Sequence, residues 1–490
     1  MTQMPPPDFS AIRQGLADLP RADNHAPGGP VQPTRIVAIA GHRAALDSER
    51  ALVVGNRGMG KSFWAHALAD AAARKKAAAT FHELASMDVL IGFNASERTD
   101  SIAPTPAAIH DALQKCKDPD AIWRAVLVRV AAHEGTSVSA TRAISPVFTE
   151  LVAWVQTHGE SVDQLLTSLD DRLLAAGRKL VVVFDALDRL ASDWETTRRL
   201  TEALLKRALA VRSYRALRLK LFMRRDQFED PSLFAFPDGS KIRNTRVDLT
   251  WTSTDLYSLL FTRLSQGSSA KAFEGLAGQL NTAQTLQSEL SEVPADRNKV
   301  LVDALAGEYM GTDKKRGRVY TWLPLHLSDS RGETSPRTFL TAWREAALHL
   351  PAPNGQAVDH LGLLEGVRRA SEDRLQELNE DYWWIPTALA PLQGQMVPMD
   401  RSVLEALWLA SDTATNIRAT SSGRGLAPVQ LDDTTKVPEA ALVDALAAIG
   451  VIEIRSNGKI NVPDIFRVEA GIKRKGGVRP PQRPPGERGQ

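Results

Sequence analysis

Eight consecutive residues, Gly55-Asn56-Arg57-Gly58-Met59-Gly60-Lys61-Ser62, have the spacing G-x-x-x-x-G-K-[ST]. The chemistry this spacing serves is anion capture. Glycines let the backbone bend so tightly that several amides converge on one phosphate. Lys61 adds a cation able to reach β- and γ-phosphates, and the Ser62 hydroxyl is a hard oxygen ligand for Mg2+. The flanks agree: Ala51-Leu52-Val53-Val54 reads as a buried strand and Phe63 to Ala73 as a helix. The amides and positive dipole end of that helix face the same anion. Gly55 to Ser62 are therefore expected to bind a nucleoside triphosphate, taken as ATP with Mg2+.

Two further runs end in the residue types such a site needs. Lys179-Leu180-Val181-Val182-Val183-Phe184 reads as a strand buried on both faces, and Asp185 follows it. A carboxylate there lies in the crevice where open α/β sheets bind ligands. Asp185 is expected to hold Mg2+ beside Ser62; the alternative is a cap at the strand end. Asp188 is the candidate that orients or deprotonates the attacking water, with an ion pair to Arg189 as the competing role. Leu219-Lys220-Leu221-Phe222-Met223 runs into Arg224-Arg225-Asp226. Arg224 at that strand end would neutralise charge building on the γ-phosphate; a plain exposed arginine pair is the alternative.

Asp88 to Phe93 reads as another core strand, with helical segments over 106–117, 121–133, 146–158 and 162–176. Alternating strands and helices imply an α/β fold with a doubly wound parallel sheet. The long span between the phosphate loop and Asp185 is compatible with an extra strand lying between their two strands.

Composition bounds the rest. A chain of 490 residues is too long for one core, so several domains are expected. Net charge is only +2, which provides no global field to recruit nucleic acid or anionic membrane. One cysteine, Cys116, excludes an internal disulfide and fits a reducing compartment. No apolar run approaches the roughly 18 residues of a membrane span, and the N-terminus lacks the order of a secretory signal. A cytoplasmic protein without membrane contact is expected. Prolines and glycines mark 1–33 as a mobile leader, and the basic, Pro/Gly-rich 471–490 as a mobile tail.

Several segments resemble those of a known group. Asp185-Ala186-Leu187-Asp188, Leu221 to Asp226 and Ser335-Pro336-Arg337 are similar to those of the STAND and KAP groups of ASCE-type P-loop ATPases. More closely, they resemble bacterial P-loop ATPases encoded in anti-phage and other conflict loci. In that family a strand ending in arginine precedes a W-x-x-x-x-L…R-L lid segment, met here by Trp251, Leu256 and Arg263-Leu264. A later G…Y-x-W…H-L-x-D…G…P-R pattern is met by Gly317, Tyr320, Trp322, His326-Leu327, Asp329, Gly332 and Pro336-Arg337. The resemblance covers residues 35–350. It implies a P-loop ATPase core followed by a helical lid. STAND proteins often carry Asp-Glu at the acid strand, whereas Arg189 follows Asp188 here. The hydrolytic base is left open, and slow or partner-triggered hydrolysis is implied.

Ser335-Pro336-Arg337 also reads from first principles: serine at the N-cap and proline at the first helical position start a helix. Arg337 in its first turn opposes the helix dipole, so a partner anion is expected. The γ-phosphate would make Arg337 a second sensor; a carboxylate is the alternative.

The C-terminal part reads as a separate module. Helices over Ser402–Ala410 and from Val437 to Ile449 precede alternating strands Val451–Arg455 and Lys459–Val462, joined at Ser456-Asn457-Gly458. Helix, helix, ribbon is a winged-helix pattern. Its second helix carries only Glu439 and Asp444 as charges, which weighs against DNA. Lys314-Lys315-Arg316 and Arg318 read as a solvated loop run, and the ten tryptophans as core anchors away from basic patches. The expected domains are a P-loop core over 34–245, a helical lid over 246–350, a helical connector over 351–395 and a winged helix over 396–470.

The function these readings support is a switch ATPase whose nucleotide state sets lid and winged-helix position and drives effector binding or self-assembly. The alternative is a DNA-dependent ATPase of the origin-recognition or transposition-helper type.

Overall fold

A computed structural model of the chain describes residues 6–20, 31–136, 147–282, 295–420, 428–432 and 435–476. The chain forms two compact units, one of residues 25–250 and one joining 1–24 to 251–490.

The first unit is built on five parallel strands: β1 (Leu52–Gly55), β2 (Met87–Phe93), β3 (Lys179–Phe184), β4 (Leu217–Arg224) and β5 (Val247–Asp248). Their spatial order is β2-β3-β4-β1-β5. The expected extra strand between β1 and β3 is present, and it is β4, the strand that ends in Arg224. The sheet also runs past 245, because β5 pairs with β1 through Val53↔Val247 and Val54↔Asp248. Apolar side chains are buried on both faces. Leu180, Val182, Leu219 and Leu221 join one cluster with the helices of 106–211. On the opposite face Val53, Val181, Val183 and Phe222 are equally buried. This is the doubly wound α/β arrangement of P-loop nucleotide-binding cores.

Local chemistry explains the element boundaries. Thr105 and Asp118 cap the helices Pro106–Cys116 and Pro119–His133, each with proline at its start. Gly92 is required by close approach: a Cβ there would meet Phe184 ring atoms at 2.6 Å. The Asp170 carboxylate, almost fully buried, accepts hydrogen bonds from the amides of Arg215, Ala216 and Leu217 and so anchors the start of β4. One sequence reading needs correction here. Phe63 to Ala73 is not one helix: Lys61–Ala69 ends at Asp70, whose carboxylate accepts from the Ala73 amide at 2.8 Å and caps a new helix, Ala71–Ala78.

The second unit is helical. Ser253–Leu264 opens with a reciprocal capping box between Thr252 and Asp255. Tyr257 of that helix stacks on Tyr320 with ring centroids 4.8 Å apart and donates its hydroxyl to the Tyr320 carbonyl at 3.0 Å. Phe339 and Trp343 of the helix Pro336–Leu348 pack edge-on against Tyr257, and His360–Asp381 packs on Val319–Leu327 and Pro336–Leu348.

The leader is a further correction. Phe9–Ala17 is a helix capped by Asp8, with Ile12 and Leu16 fully buried against this unit, and Pro33–Arg35 forms a helical turn. Residues 1–5 and 21–30 lie outside the described residues.

Further along, helices Arg401–Ala410, Thr413–Thr420 and Pro438–Ala448 precede a two-stranded antiparallel ribbon, Glu453–Ile454 with Ile460–Asn461. The helix Thr413–Thr420 was not read in the sequence. Gly458 has φ +76°, the left-handed conformation that the ribbon turn requires. Within the tail, Lys473–Arg474 pairs in parallel with Met396–Val397, so its first residues are ordered chain. Residues 477–490 lie outside the described residues.

Candidate nucleotide site

The phosphate loop leaves β1 at Gly55 and delivers the chain into the helix Lys61–Ala69. Gly58 and Gly60 have φ of +83° and +97°, a region that other residues enter only at a cost of about 1–2 kcal/mol. No side chain caps the first turn of this helix, which leaves it the means to hold an anion. The Lys61 ammonium folds back and donates to the carbonyls of Gly55 and Asn56, both at 2.8 Å. Burial pushes its pKa down to about 8, helped by Arg224 and opposed by Asp185, Asp188 and Asp226.

The sheet register brings the other candidates to this loop. Gly55 pairs with Arg224 across β1 and β4, while Phe184 pairs with Leu221 across β3 and β4. Asp185, the residue after Phe184, is 3% exposed. Its carboxyl pKa is raised by burial, against hydrogen bonds from the Ser62 hydroxyl and the Ala186 amide and the charge of Lys61. Ala186 itself sits at φ +56°, a strained conformation for a residue with a Cβ. Ser62 and Asp185 thus meet as a hydroxyl and a buried carboxylate. This is a hard-oxygen donor pair that fits Mg2+, which takes few protein ligands and completes its shell with water and phosphate. Among the described residues no group of three His, Cys, Asp or Glu forms a metal cluster.

Arg224 does not lie exposed beside Arg225. Its guanidinium donates to both oxygens of Asp226, Nε to Oδ1 at 3.1 Å and Nη2 to Oδ2 at 2.9 Å, and its Nη1 reaches Asp188 Oδ2 at 3.4 Å. Arg225 turns away to Asp248 at the end of β5, 3.0 Å. The ion pair of Asp188 is therefore with Arg224, across two strands, and not with its neighbour Arg189. Lys61, Ser62, Asp185, Asp188 and Arg224 come together at the C-terminal edge of the sheet.

Asp226 and His66 are the residues that sequence reasoning missed. Asp226 was visible two positions after Arg224, but nothing local showed that it would clasp it. His66, one turn after Ser62, exerts charge on Asp185, and its Nε2 is buried with no hydrogen-bond partner among the described residues.

Arg337 belongs to the helical unit. Ser335 caps its helix by accepting from the Thr338 amide at 3.1 Å, as the sequence suggests. The anion facing Arg337 is the carboxylate of Glu377, 2.7 Å away and shared with Arg374 at 3.0 Å. Burial works to raise the Glu377 pKa, but Arg337 and Arg374 hold it below the usual range. The carboxylate alternative is thus the contact found in this structure.

No protein-family model matches this chain, and no curated protein matches it. Solved structures that are similar to it include Cdc6p from Pyrobaculum aerophilum, at 13% identity over 86% of both chains and a TM-score of 0.29. The Aeropyrum pernix ORC2 protein, solved with ADPNP and ADP, shares 12% identity, covering 93% of this chain and 95% of its own, with a TM-score of 0.40. The Walker-type ATPase PABY2304 of Pyrococcus abyssi shares 14% identity over 93% and 99%, with a TM-score of 0.36. These likenesses are loose. The phosphate loop, the parallel strand order and the convergence of acids and arginine in this chain itself define a P-loop nucleotide-binding core.

Proposed function

We propose that the chain is a Mg2+-dependent ATPase of the P-loop type that works as a slow switch. The observation that carries this reading is the meeting of Lys61, Asp185, Asp188 and Arg224 at one end of the sheet, beside an uncapped loop helix. Gly55 to Gly60 would wrap the β-phosphate with backbone amides. Lys61 would leave the Gly55 and Asn56 carbonyls for phosphate oxygens of higher charge density. Ser62 and Asp185 would hold Mg2+, which supplies charge neutralisation on the phosphates when bound. Asp188 would orient the attacking water, and Arg224 would stabilise the charge that builds during transfer.

The clasp of Arg224 by Asp226 and Asp188 supports slow or triggered turnover. An arginine already neutralised by two carboxylates must exchange partners before it acts on phosphate, and Asp188 is occupied by the same contact. Arg337 is proposed as a second sensor that exchanges Glu377 for the nucleotide, in a lid over 246–350. The C-terminal helices and ribbon are proposed as a winged helix that transmits nucleotide state to a protein effector or to self-assembly. A bacterial-defence setting follows from the resemblance alone, and a cytoplasmic one from the composition.

Calorimetry with ATP·Mg tests the core of the proposal. Saturable binding in wild type that is lost in Lys61→Ala is expected, and no heat in the folded wild-type protein would overturn it. ATPase rates with and without duplex DNA at two salt concentrations separate the alternative. Strong stimulation that fades with salt would indicate a DNA-dependent enzyme. The helix Pro438–Ala448 argues for the other outcome, since it carries no Lys or Arg and the lysine just before it, Lys436, is paired with Asp444 at 2.9 Å.

A further inference from the structure

Two basic runs that are far apart in sequence meet on one cavity of the helical unit. Lys315 and Arg316 come from the turn Lys314–Arg316, and Arg474 and Lys475 from the strand Lys473–Arg474 and its end. The cavity measures about 410 Å3, within the roughly 300–1,000 Å3 of small-molecule sites. Its apolar wall is Leu364, Val367 and Val468, and Trp322 stands beside them. Trp322 is braced by stacking on His326, which also lines the cavity, with ring centroids 3.9 Å apart and planes 19° off parallel. A tryptophan therefore does sit among cations here, contrary to the sequence reading.

Charge around the cavity is unbalanced. Five cationic side chains line it against a single carboxylate, Asp464. That carboxylate is committed: the buried Arg467 guanidinium donates to Oδ1 from Nε at 2.8 Å and Nη2 at 2.7 Å, while Arg474 and His326 approach Oδ2 at 3.4 Å. Among the described residues Lys315, Arg316 and Lys475 have no carboxylate partner. Converging unpaired cations are unfavourable unless an anion joins them. An apolar wall with a braced aromatic ring next to them suits a flat, uncharged group attached to that anion.

We propose that this cavity is a nucleotide site separate from the phosphate loop. It would hold phosphate on Lys315, Arg316, Arg474 and Lys475 and a base against Trp322. The volume admits one nucleotide, either free or as one residue of a single strand.

The full-length protein carrying Lys61→Ala, which silences the phosphate loop, tests this. ADP, fluorescein-labelled (dT)8 and inorganic pyrophosphate are the probes, read by calorimetry and anisotropy, with circular dichroism to check folding. Saturable binding of ADP or of (dT)8 is expected. Arg316→Glu with Lys475→Glu, both on exposed positions, should weaken it at least about tenfold. Trp322→Leu should weaken it about fivefold while leaving pyrophosphate unchanged. ADP bound without (dT)8 identifies a free nucleotide, and the reverse identifies a strand. Absence of saturation by both probes, indifference to the charge reversal, or pyrophosphate binding as tightly as ADP would each overturn the assignment.

Discussion

Arg224 and Asp226 form a two-bond clasp at the end of β4, with Nε–Oδ1 at 3.1 Å and Nη2–Oδ2 at 2.9 Å. Both side chains are mostly buried, 12% and 19% exposed, so the pair is stronger than a surface ion pair and holds the guanidinium in one place. Removing Arg224 should separate binding from turnover. In Arg224→Ala, ATP affinity should stay within about threefold while single-turnover hydrolysis falls about 10²–10³-fold, the cost typical of one lost transition-state donor. Asp226→Asn should act in the opposite sense, loosening the clasp and raising basal turnover. Hydrolysis unchanged in both variants would remove Arg224 from the chemistry.

Asp185 is tested through its metal. Asp185→Asn keeps the shape of the side chain and its place beside Ser62 but removes the charge that a dication needs. Turnover titrated with Mg2+ should shift to at least about tenfold higher metal concentration. An unaltered Mg2+ titration curve would show that the buried carboxylate serves the fold alone.

How much of this was legible in the sequence depends on the distance over which each relationship acts. Gly55 to Ser62 form one local loop whose conformation is dictated by its own glycines, so its reading and its geometry agree. The contact of Asp188 with Arg224 was not legible, because it depends on β4 lying next to β3, and only the folded sheet sets that neighbour. The helix Phe9–Ala17 was obscured by flanking prolines, although Asp8, Ile12 and Leu16 have the cap and the i, i+4 spacing of a packed helix. The meeting of Trp322 with Arg474 lies beyond any local signal. Neither residue's neighbours in sequence indicate the other.

Lys61 gives the site a pH signature. In this structure its pKa is lowered to about 8, mainly by burial. Phosphate oxygens favour the ammonium, so the pKa rises again on binding. The sign follows: below pH 8 the lysine is already charged and affinity is flat. Above pH 8 binding must take up a proton, and affinity falls as pH rises, by up to about tenfold per unit. Calorimetry at pH 7, 8 and 9 in buffers of different ionisation enthalpy would measure both the trend and the proton uptake. Constant affinity with no proton uptake would mean that Lys61 stays charged on the Gly55 and Asn56 carbonyls throughout.

Lys220 lies in mid-strand, where an apolar residue is the rule, and is fully buried. Its ammonium donates to the carbonyls of Ala45, Asp47 and Arg50, each at 2.8 Å, tying β4 to the turn that precedes β1. Lys220→Met keeps the stem and removes only the charged head. Three buried acceptors then lose their donor, and unfolding free energy should drop by about 3–5 kcal/mol. Burial pushes the Lys220 pKa down to about 7 from an ordinary 10.5, with Asp47 opposing. Between those values the unfolded chain holds more protons than the folded one, so this group adds stability as pH rises from 7 toward 10. Denaturant unfolding of both proteins at pH 6, 7, 8 and 9 isolates the term. The gap between wild type and Lys220→Met should widen with pH, and a gap that stays constant from pH 6 to 9 would mean the lysine is held as an ammonium well above neutrality by its three carbonyls.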